Sequence, residues 1–317
     1  MSAPRIVFLG TPPFAVTSLG TLHAAGIPIA AVVTAPDRPA GRGRQLRPSA
    51  VKEAALRLGL PLLQPERLRE AGFLDDLRAC GADLFVVVAF RMLPEVVWRM
   101  PQLGTINLHA SLLPQYRGAA PINWAVMHGE PRTGLTTFLL QQAIDTGDVL
   151  LQETLPIGPD ETAGELHDRM ATLGASLLTR TVLDLGEGRL EPRPQSTLDS
   201  GAALRQAPKL TPANCRIDWS RPAAAVHDHV RGLSPLPGAW TELVRDDGGT
   251  EHFKVLRTER VETAGQARPG TVHPDPDGLL VYCGDGALRL LEVQPEGRRR
   301  MSGPAFRAGL RGSIRLQ

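Results

Sequence analysis

The chain has 317 residues, 42% of them hydrophobic, and a formal net charge of +2. That is enough apolar material for about two domains with cores of their own, and it excludes a disordered polyelectrolyte or a wholly basic nucleic-acid coat. No apolar run nears the roughly 18 residues needed to cross a bilayer, and MSAPRIVFLG lacks the flank, apolar core and cleavage site of an export signal, so a cytoplasmic protein away from membranes is expected.

Short β-rich runs alternate with helical patterns through the first half, which predicts an α/β domain with a mainly parallel sheet. RIVFLG (5–10) and IPIAAVVTA (27–35) read as its first two strands. Gly10 in FLGTPPFAV marks a tight strand-to-helix turn, and without a GxGxxG the stretch does not single out a nucleotide. TAPDRPAGRGRQLRPSAVK (34–52) then gathers Arg38, Arg42, Arg44, Arg47 and Lys52 against a single acid, Asp37. ADLFVVVAF (82–90) is apolar almost throughout, as a central strand covered on both faces should be. GTINLHAS (104–111) follows, and then GLTTFLLQ and GDVLLQETLPI on either side of the turn QAIDTG.

From Thr162 the period changes to three and four. Leu166, Met170, Leu173, Leu177, Leu178, Val182 and Leu185 form one helical face, with Thr162 and Glu165 as a capping box and Gly186 and Gly188 at the end. Residues 186–208 lose all apolar periodicity and read as a linker. Beyond them a short helix and several β-like runs with turns at Asp247-Gly248-Gly249 and Asp285-Gly286 predict a small β-rich domain. Cys80, Cys215 and Cys283 are odd in number, widely spaced and without a CxxC pair, which points to packing and not to disulfides or zinc.

The chemistry-bearing stretch is NLHASLLPQYRGAAP (107–121). Alternate positions of a strand share a face, so Asn107, His109 and Ser111 should converge where the chain leaves the C-terminal end of a strand, the place where open α/β sheets bind ligands. Asp145 in AIDTGD is a candidate partner for His109, although an Asp in such a turn also serves turn chemistry alone. Ser111, two residues from His109 on one strand, lacks serine-hydrolase geometry. His227 and His229 have no third ligand nearby and read as surface helix histidines.

VVTAPDRPAGRGRQLRPSAVK, LFVVVAFRMLP, GTINLHASLLPQYRGAAPINWAVMHGE and AIDTGDVLLQ together resemble the methionyl-tRNA formyltransferase family. KLTPANCRIDWSRPA, VRGLSPLPGAW and LRLLEVQPEGRRRMSGPAFRAG resemble its second domain, so the likeness runs over about residues 4–312. It implies a Rossmann-like, 10-formyltetrahydrofolate-binding catalytic domain at 1–185, a linker at 186–208, and a small β-barrel, OB-like, tRNA-binding domain at 209–317. It further implies Asn107, His109 and Asp145 as the catalytic trio; for a formyl transfer, Asn107 and His109 are placed to donate to the developing oxyanion, and Asp145 to orient His109 and assist proton movement from the attacking nitrogen to the leaving N10. Ser111, Leu112, Leu113, Pro114, Phe90 and Leu93 fall on the folate side, and Arg38, Arg42, Arg44 and Arg47 on the tRNA side. Initiator methionyl-tRNA is the implied partner, a monomer the implied state, and no metal is implied.

Two points set this chain apart or leave choices open. Many relatives have a glycine after the apolar strand where this chain reads Phe90-Arg91-Met92-Leu93, and Arg91 is expected to point to solvent. An aminosugar-nucleotide formyltransferase, a formyl-folate hydrolase and a non-catalytic RNA-binding module are the rival readings. The arginine-rich loop argues against the first, a second domain able to grip RNA (Arg298, Arg299, Arg300) against the second, and an intact trio against the third.

Overall fold

Apolar β-branched runs too short to form helices build the first sheet of this computed structural model, which describes residues 3–40, 45–198, 201, 203–262 and 267–317. The elements of the first half are β1 (Ile6–Gly10), α1 (Pro13–Ala24), β2 (Ile29–Val33), β3 (Arg38–Ala40), β4 (Gln45–Arg47), α2 (Ala50–Arg57) and β5 (Leu62–Leu63), then α3 (Ala71–Ala79), β6 (Leu84–Val88), α4 (Glu95–Trp98) and β7 (Thr105–His109). After β8 (Arg117–Gly118) and α5 (Pro121–Met127) come β9 (Arg132–Leu139), β10 (Val149–Pro156) and α6 (Ala163–Gly186). The chain divides into two units, Met1–Arg117 with Gly134–Leu155 and His167–Arg205, and Gly118–Thr133 with Pro156–Leu166 and Gln206–Gln317.

The sheet of the first unit runs β10-β9-β7-β6-β1-β2-β5. The pairs β2–β5, β1–β2, β1–β6 and β6–β7 are parallel and β9 returns antiparallel to β7, so the mainly parallel, Rossmann-like prediction holds. Every residue of β1 and β6 is buried. Val7, Leu9, Val33, Phe73, Phe85 and Val97 fill one side of the sheet, each large side chain contributing about 1.5–3 kcal/mol on burial. The strand expected over 104–111 stops at His109, which leaves Ser111 in the loop beyond it.

At α6 the capping box is present: the Thr162 N–H donates to Glu165 Oε2 (2.8 Å) and the Glu165 N–H to Thr162 Oγ1 (3.2 Å). The stretch 186–208, expected to be plain linker, carries a 3-10 turn at Gln195–Leu198 and a bridge from Arg193 to Val149.

In the second unit β11 (Gln206–Ala207) and α7 (Ala223–Leu233) precede β12 (Ala239–Arg245), β13 (Thr250–Val261), β14 (Val272–Asp275), β15 (Gly278–Tyr282), β16 (Ala287–Pro295), β17 (Met301–Ser302), α8 (Gly303–Ala308) and β18 (Ile314–Leu316). The order β14-β15-β16-β13-β12-β18 nearly closes on itself. A bridge between Thr271 and Arg315 joins the two ends, with Leu316 N–H donating to the Gly270 carbonyl at 2.9 Å. Gly270 permits this approach, because a Cβ there would lie 2.0 Å from the Leu316 oxygen at a φ of +81°. The expected small β-barrel is therefore present, with Met127, Trp219, Val230, Phe253, Leu290 and Phe306 among its core. His227 and His229 were expected on the surface. Both are buried instead, and His227 shares a hydrogen bond with Thr258 (2.9 Å), because α7 packs that face on β13.

Candidate active site

Strand β7 positions the first two members of the trio. Asn107 and His109 alternate onto one face, with His109 paired in register opposite Thr136 of β9 and only 7% exposed. Nε2 of His109 lies 2.9 Å from the Tyr116 carbonyl. A carbonyl only accepts, so Nε2 carries the proton, and Nδ1 is the nitrogen turned toward Asp145, 3.8 Å from Oδ2. That separation exceeds a hydrogen bond, but two acceptors so spaced can both lie within about 2.9 Å of one donor nitrogen placed between them. The structure thus brings together His109 and Asp145, which are far apart in the sequence.

Asp145 is buried and has a φ of +53°, a left-handed conformation that Asp tolerates better than most residues. The turn is shaped by its neighbours. Thr146 Oγ1 donates to the Ala143 carbonyl (3.0 Å), and Gly147 leaves room that no other residue would, since a Cβ there would lie 1.6 Å from the Leu139 oxygen. The amide of Gln195 donates to both the Asp145 carbonyl (2.9 Å) and the Gly147 carbonyl (2.8 Å), while its oxygen accepts from Nε (3.1 Å) and Nη2 (2.6 Å) of Arg117. Sequence reasoning missed Gln195 because it sits in a stretch without apolar periodicity, and no local signal marks it.

The loop after β7 is braced by buried polar groups. Ser111 does not share the face of His109, since its hydroxyl turns back to donate to the Gln115 carbonyl (2.6 Å). Thr136 Oγ1 donates to the Ser111 carbonyl (2.7 Å) and accepts from the Leu113 N–H (3.1 Å), and Gln152 Nε2 donates to the Leu113 carbonyl (2.9 Å). Ser111, Leu113 and Pro114 are buried, Leu112 is partly so, and the Leu113–Pro114 bond is cis. With every one of these donors and acceptors met, the loop has one conformation to hold.

At the C-terminal end of β6, Leu93 lines a cleft of about 440 Å³ with Leu68, Met92, Trp98 and Gln142, the last on the loop that also carries Asp145. Phe90 packs on the core of the sheet. Arg91 does not point to solvent as expected. Its guanidinium donates to the carbonyls of Glu66 (2.9 Å) and Pro65 and lies over the Phe90 ring, and burial, aided by Arg38, lowers its pKa. The carbonyls of Pro65 and Glu66 lie within reach of one long, multiply donating side chain.

The basic stretch is partly described. Arg38 and Arg47 face each other in the β3–β4 hairpin and are exposed. Arg42 and Arg44 lie outside the described residues. Lys52 is paired at 2.6 Å with Asp37, whose carboxyl is held below its ordinary value by that contact and by Gln64, so this lysine adds little free charge to the patch. Arg298, Arg299 and Arg300 are exposed, with Arg300 paired to Glu292 (2.6 Å). Among the described residues no group of three or more His, Cys, Asp or Glu is placed to hold a metal ion, and no helix is long and apolar enough to cross a membrane.

The family described as Formyl transferase matches residues 4–182, and Formyl transferase, C-terminal domain, matches residues 209–311. A methionyl-tRNA formyltransferase of Parabacteroides distasonis is 49% identical over 310 residues, covering 97% of this chain and 96% of the relative. The chain belongs to the methionyl-tRNA formyltransferase family. It is a formyl-transferring enzyme. A second methionyl-tRNA formyltransferase, of Porphyromonas gingivalis, is 50% identical over 96% of this chain and 95% of its own. Solved structures extend the likeness in fold alone. The sugar 3N-formyl transferase WlaRD aligns with a TM-score of 0.64 at 16% identity, over 94% of this chain and all of that one. HypX from Aquifex aeolicus, solved with tetrahydrofolic acid, also aligns at 0.64, with 18% identity, over 96% of this chain and 47% of that one.

Proposed function

We propose that the chain transfers the formyl group of 10-formyltetrahydrofolate to the α-amino nitrogen of methionine on initiator methionyl-tRNA, giving N-formylmethionyl-tRNA for translation initiation. The observation that carries this reading is the end-to-end match, near 50% identity, to methionyl-tRNA formyltransferases. In this reading residues 1–185 hold the folate and the chemistry, 186–208 connect, and 209–317 help to grip the tRNA. The enzyme works as a cytoplasmic monomer.

The folate supplies the activated formyl carbon. A cleft with Leu68, Leu93 and Trp98 on its walls and polar groups at its rim suits a fused-ring ligand in both size and character. Phe90 supports the segment from beneath, and Ser111, Leu112, Leu113 and Pro114 set the shape of the wall beside Asn107 and His109.

Asn107 donates a hydrogen bond to the formyl oxygen, where negative charge develops as the methionine nitrogen bonds to the carbon. His109 accepts the proton that this nitrogen sheds. It does so through Nδ1, because Nε2 is committed to Tyr116. Asp145, 3.8 Å from Nδ1, accepts a second hydrogen bond from the same nitrogen and faces the imidazolium while it exists. His109 then returns the proton to the folate nitrogen as its bond to the formyl carbon breaks, so atoms and charge balance. Once protonated, Nδ1 becomes a donor, which is how His109 joins Asn107 in stabilising the oxygen.

Arg38, Arg42, Arg44 and Arg47 hold phosphates of the acceptor end, and Arg298 to Arg300 a neighbouring stem, by contacts that read shape and not sequence. The test is formyl transfer from labelled 10-formyltetrahydrofolate to charged initiator tRNA, uncharged tRNA, an aminosugar nucleotide and water. Label should pass only to the charged tRNA. Equal transfer to the sugar, or release of formate alone, would overturn the reading.

A further inference from the structure

We infer that Gln195, clamped by Arg117, is a positioning residue for formyl transfer, holding the two loops that present Asp145 and His109 to the reacting atoms. The inference rests on the roles proposed for that pair. Gln195 is 4% exposed, and every hydrogen-bonding group of its side chain is used. Its two N–H groups go to the carbonyls of Asp145 and Gly147, which pins the turn directly after the residue that bears the carboxylate. Its oxygen takes the fork of Arg117. Arg117 directly follows Tyr116, whose carbonyl fixes Nε2 of His109. One amide therefore ties the backbone of Asp145 to the strand of chain that sets the ring orientation of His109.

Both tied residues need holding. Asp145 (φ +53°) and Tyr116 (φ +59°) occupy left-handed backbone conformations that residues with a Cβ rarely adopt, so each would relax if its surroundings let it. Relaxation at either one changes the 3.8 Å separation on which a shared donor nitrogen depends. Glutamine suits the position for a chemical reason. It is long enough, and it presents two donors to two carbonyls and an acceptor to a guanidinium; glutamate would set a carboxylate oxygen against two carbonyls and lose both bonds.

The test uses the full chain and steady-state formyl transfer. Gln195→Ala and Gln195→Glu should each lower kcat by about 10- to 100-fold, the scale of a misplaced catalytic group, with KM for folate and for Met-tRNA within about twofold. On an Asp145→Ala background, Gln195→Ala should cost clearly less than it does alone, since one of the two groups it positions is gone. Independent losses that multiply would show a general structural role and overturn the inference. So would full turnover in Gln195→Ala while Asp145→Ala is inactive. If Asp145→Ala itself turns over normally, the assignment of the pair fails and takes this inference with it. Arg117→Lys retains the charge without the fork and should show the same kcat-only loss, which supplies the answer if Gln195→Ala does not fold. The imidazole ¹⁵N spectrum, with His109 assigned by its absence in His109→Gln, gives a readout besides activity. The Nε2–H form expected in the parent should give way to a tautomer mixture in Gln195→Glu, and an unchanged spectrum would overturn the inference.

Discussion

Asp145 Oδ2 stands 3.8 Å from Nδ1 of His109, while the opposite nitrogen of the same ring donates to the Tyr116 carbonyl at 2.9 Å. The ring therefore has one nitrogen spent on holding its orientation and one facing a carboxylate. Asp145→Asn keeps the shape of the turn and removes the charge, so it isolates the chemistry. Turnover should fall about 10²–10⁴-fold in Asp145→Asn and His109→Ala, and about 10²–10³-fold in Asn107→Ala, with thermal unfolding nearly unchanged. Near-normal turnover at saturating substrates in any of the three would remove that residue from the mechanism.

Gly147 closes the turn that carries Asp145 against β9. Gly147→Ala forces a Cβ to 1.6 Å from the Leu139 oxygen, so the loop must shift or the strand must give. Stability should drop by about 1–3 kcal/mol in urea unfolding, and turnover by at least about tenfold. A variant that is destabilised yet fully active would show that the turn can move without disturbing Asp145.

Arg42 belongs to a Gly- and Pro-rich basic stretch whose expected partner is a nucleic-acid end. Arg42→Ala should strongly impair transfer to initiator Met-tRNA and leave folate affinity nearly as it was. Arg42→Lys should not restore activity, since a forked contact needs the guanidinium and a point charge does not replace it. Rescue by lysine would mean that charge alone matters. Measuring both variants at two salt concentrations separates the alternatives.

Burial lowers the proton affinity of His227, with a further push from Arg231, and of His229, in both cases below the ordinary value of 6.5. The unfolded chain thus binds these protons more readily than the folded one, so stability falls as pH drops through 6.5. Carboxylates held low, such as Asp218 and Asp275, lose their contribution only in stronger acid, beneath 3.8. Urea unfolding between pH 7.5 and 5 should show a steady loss that is smaller in His229→Gln. An equal slope in the variant would mean that His229 is protonated alike in both states.

Much of the molecule was written locally in the chain. The apolar runs at 5–10 and 82–90, too short for helices, could form little but covered strands, and the leucines from Leu166 to Leu185 recur at a spacing that only a helix aligns. Thr162 and Glu165, three apart, cap that helix by themselves. Asn107 and His109 likewise needed only the period of a strand to share a face. These features rest on neighbours within a few residues, which is why sequence alone determines them.

Tertiary structure decided what depends on distant partners. Ser111 continues the alternation on paper, yet the strand ends at His109 and its hydroxyl is drawn to Gln115. Arg91 looks like a surface arginine until the loop at 65–66 offers it two carbonyls, and His227 looks exposed until β13 covers its helix face. Gln195 lies fifty residues from the Asp145 carbonyl it holds, in a stretch with no period to betray it. Buried polar groups must find partners wherever the fold places them, and that requirement leaves no trace in the spacing of a sequence.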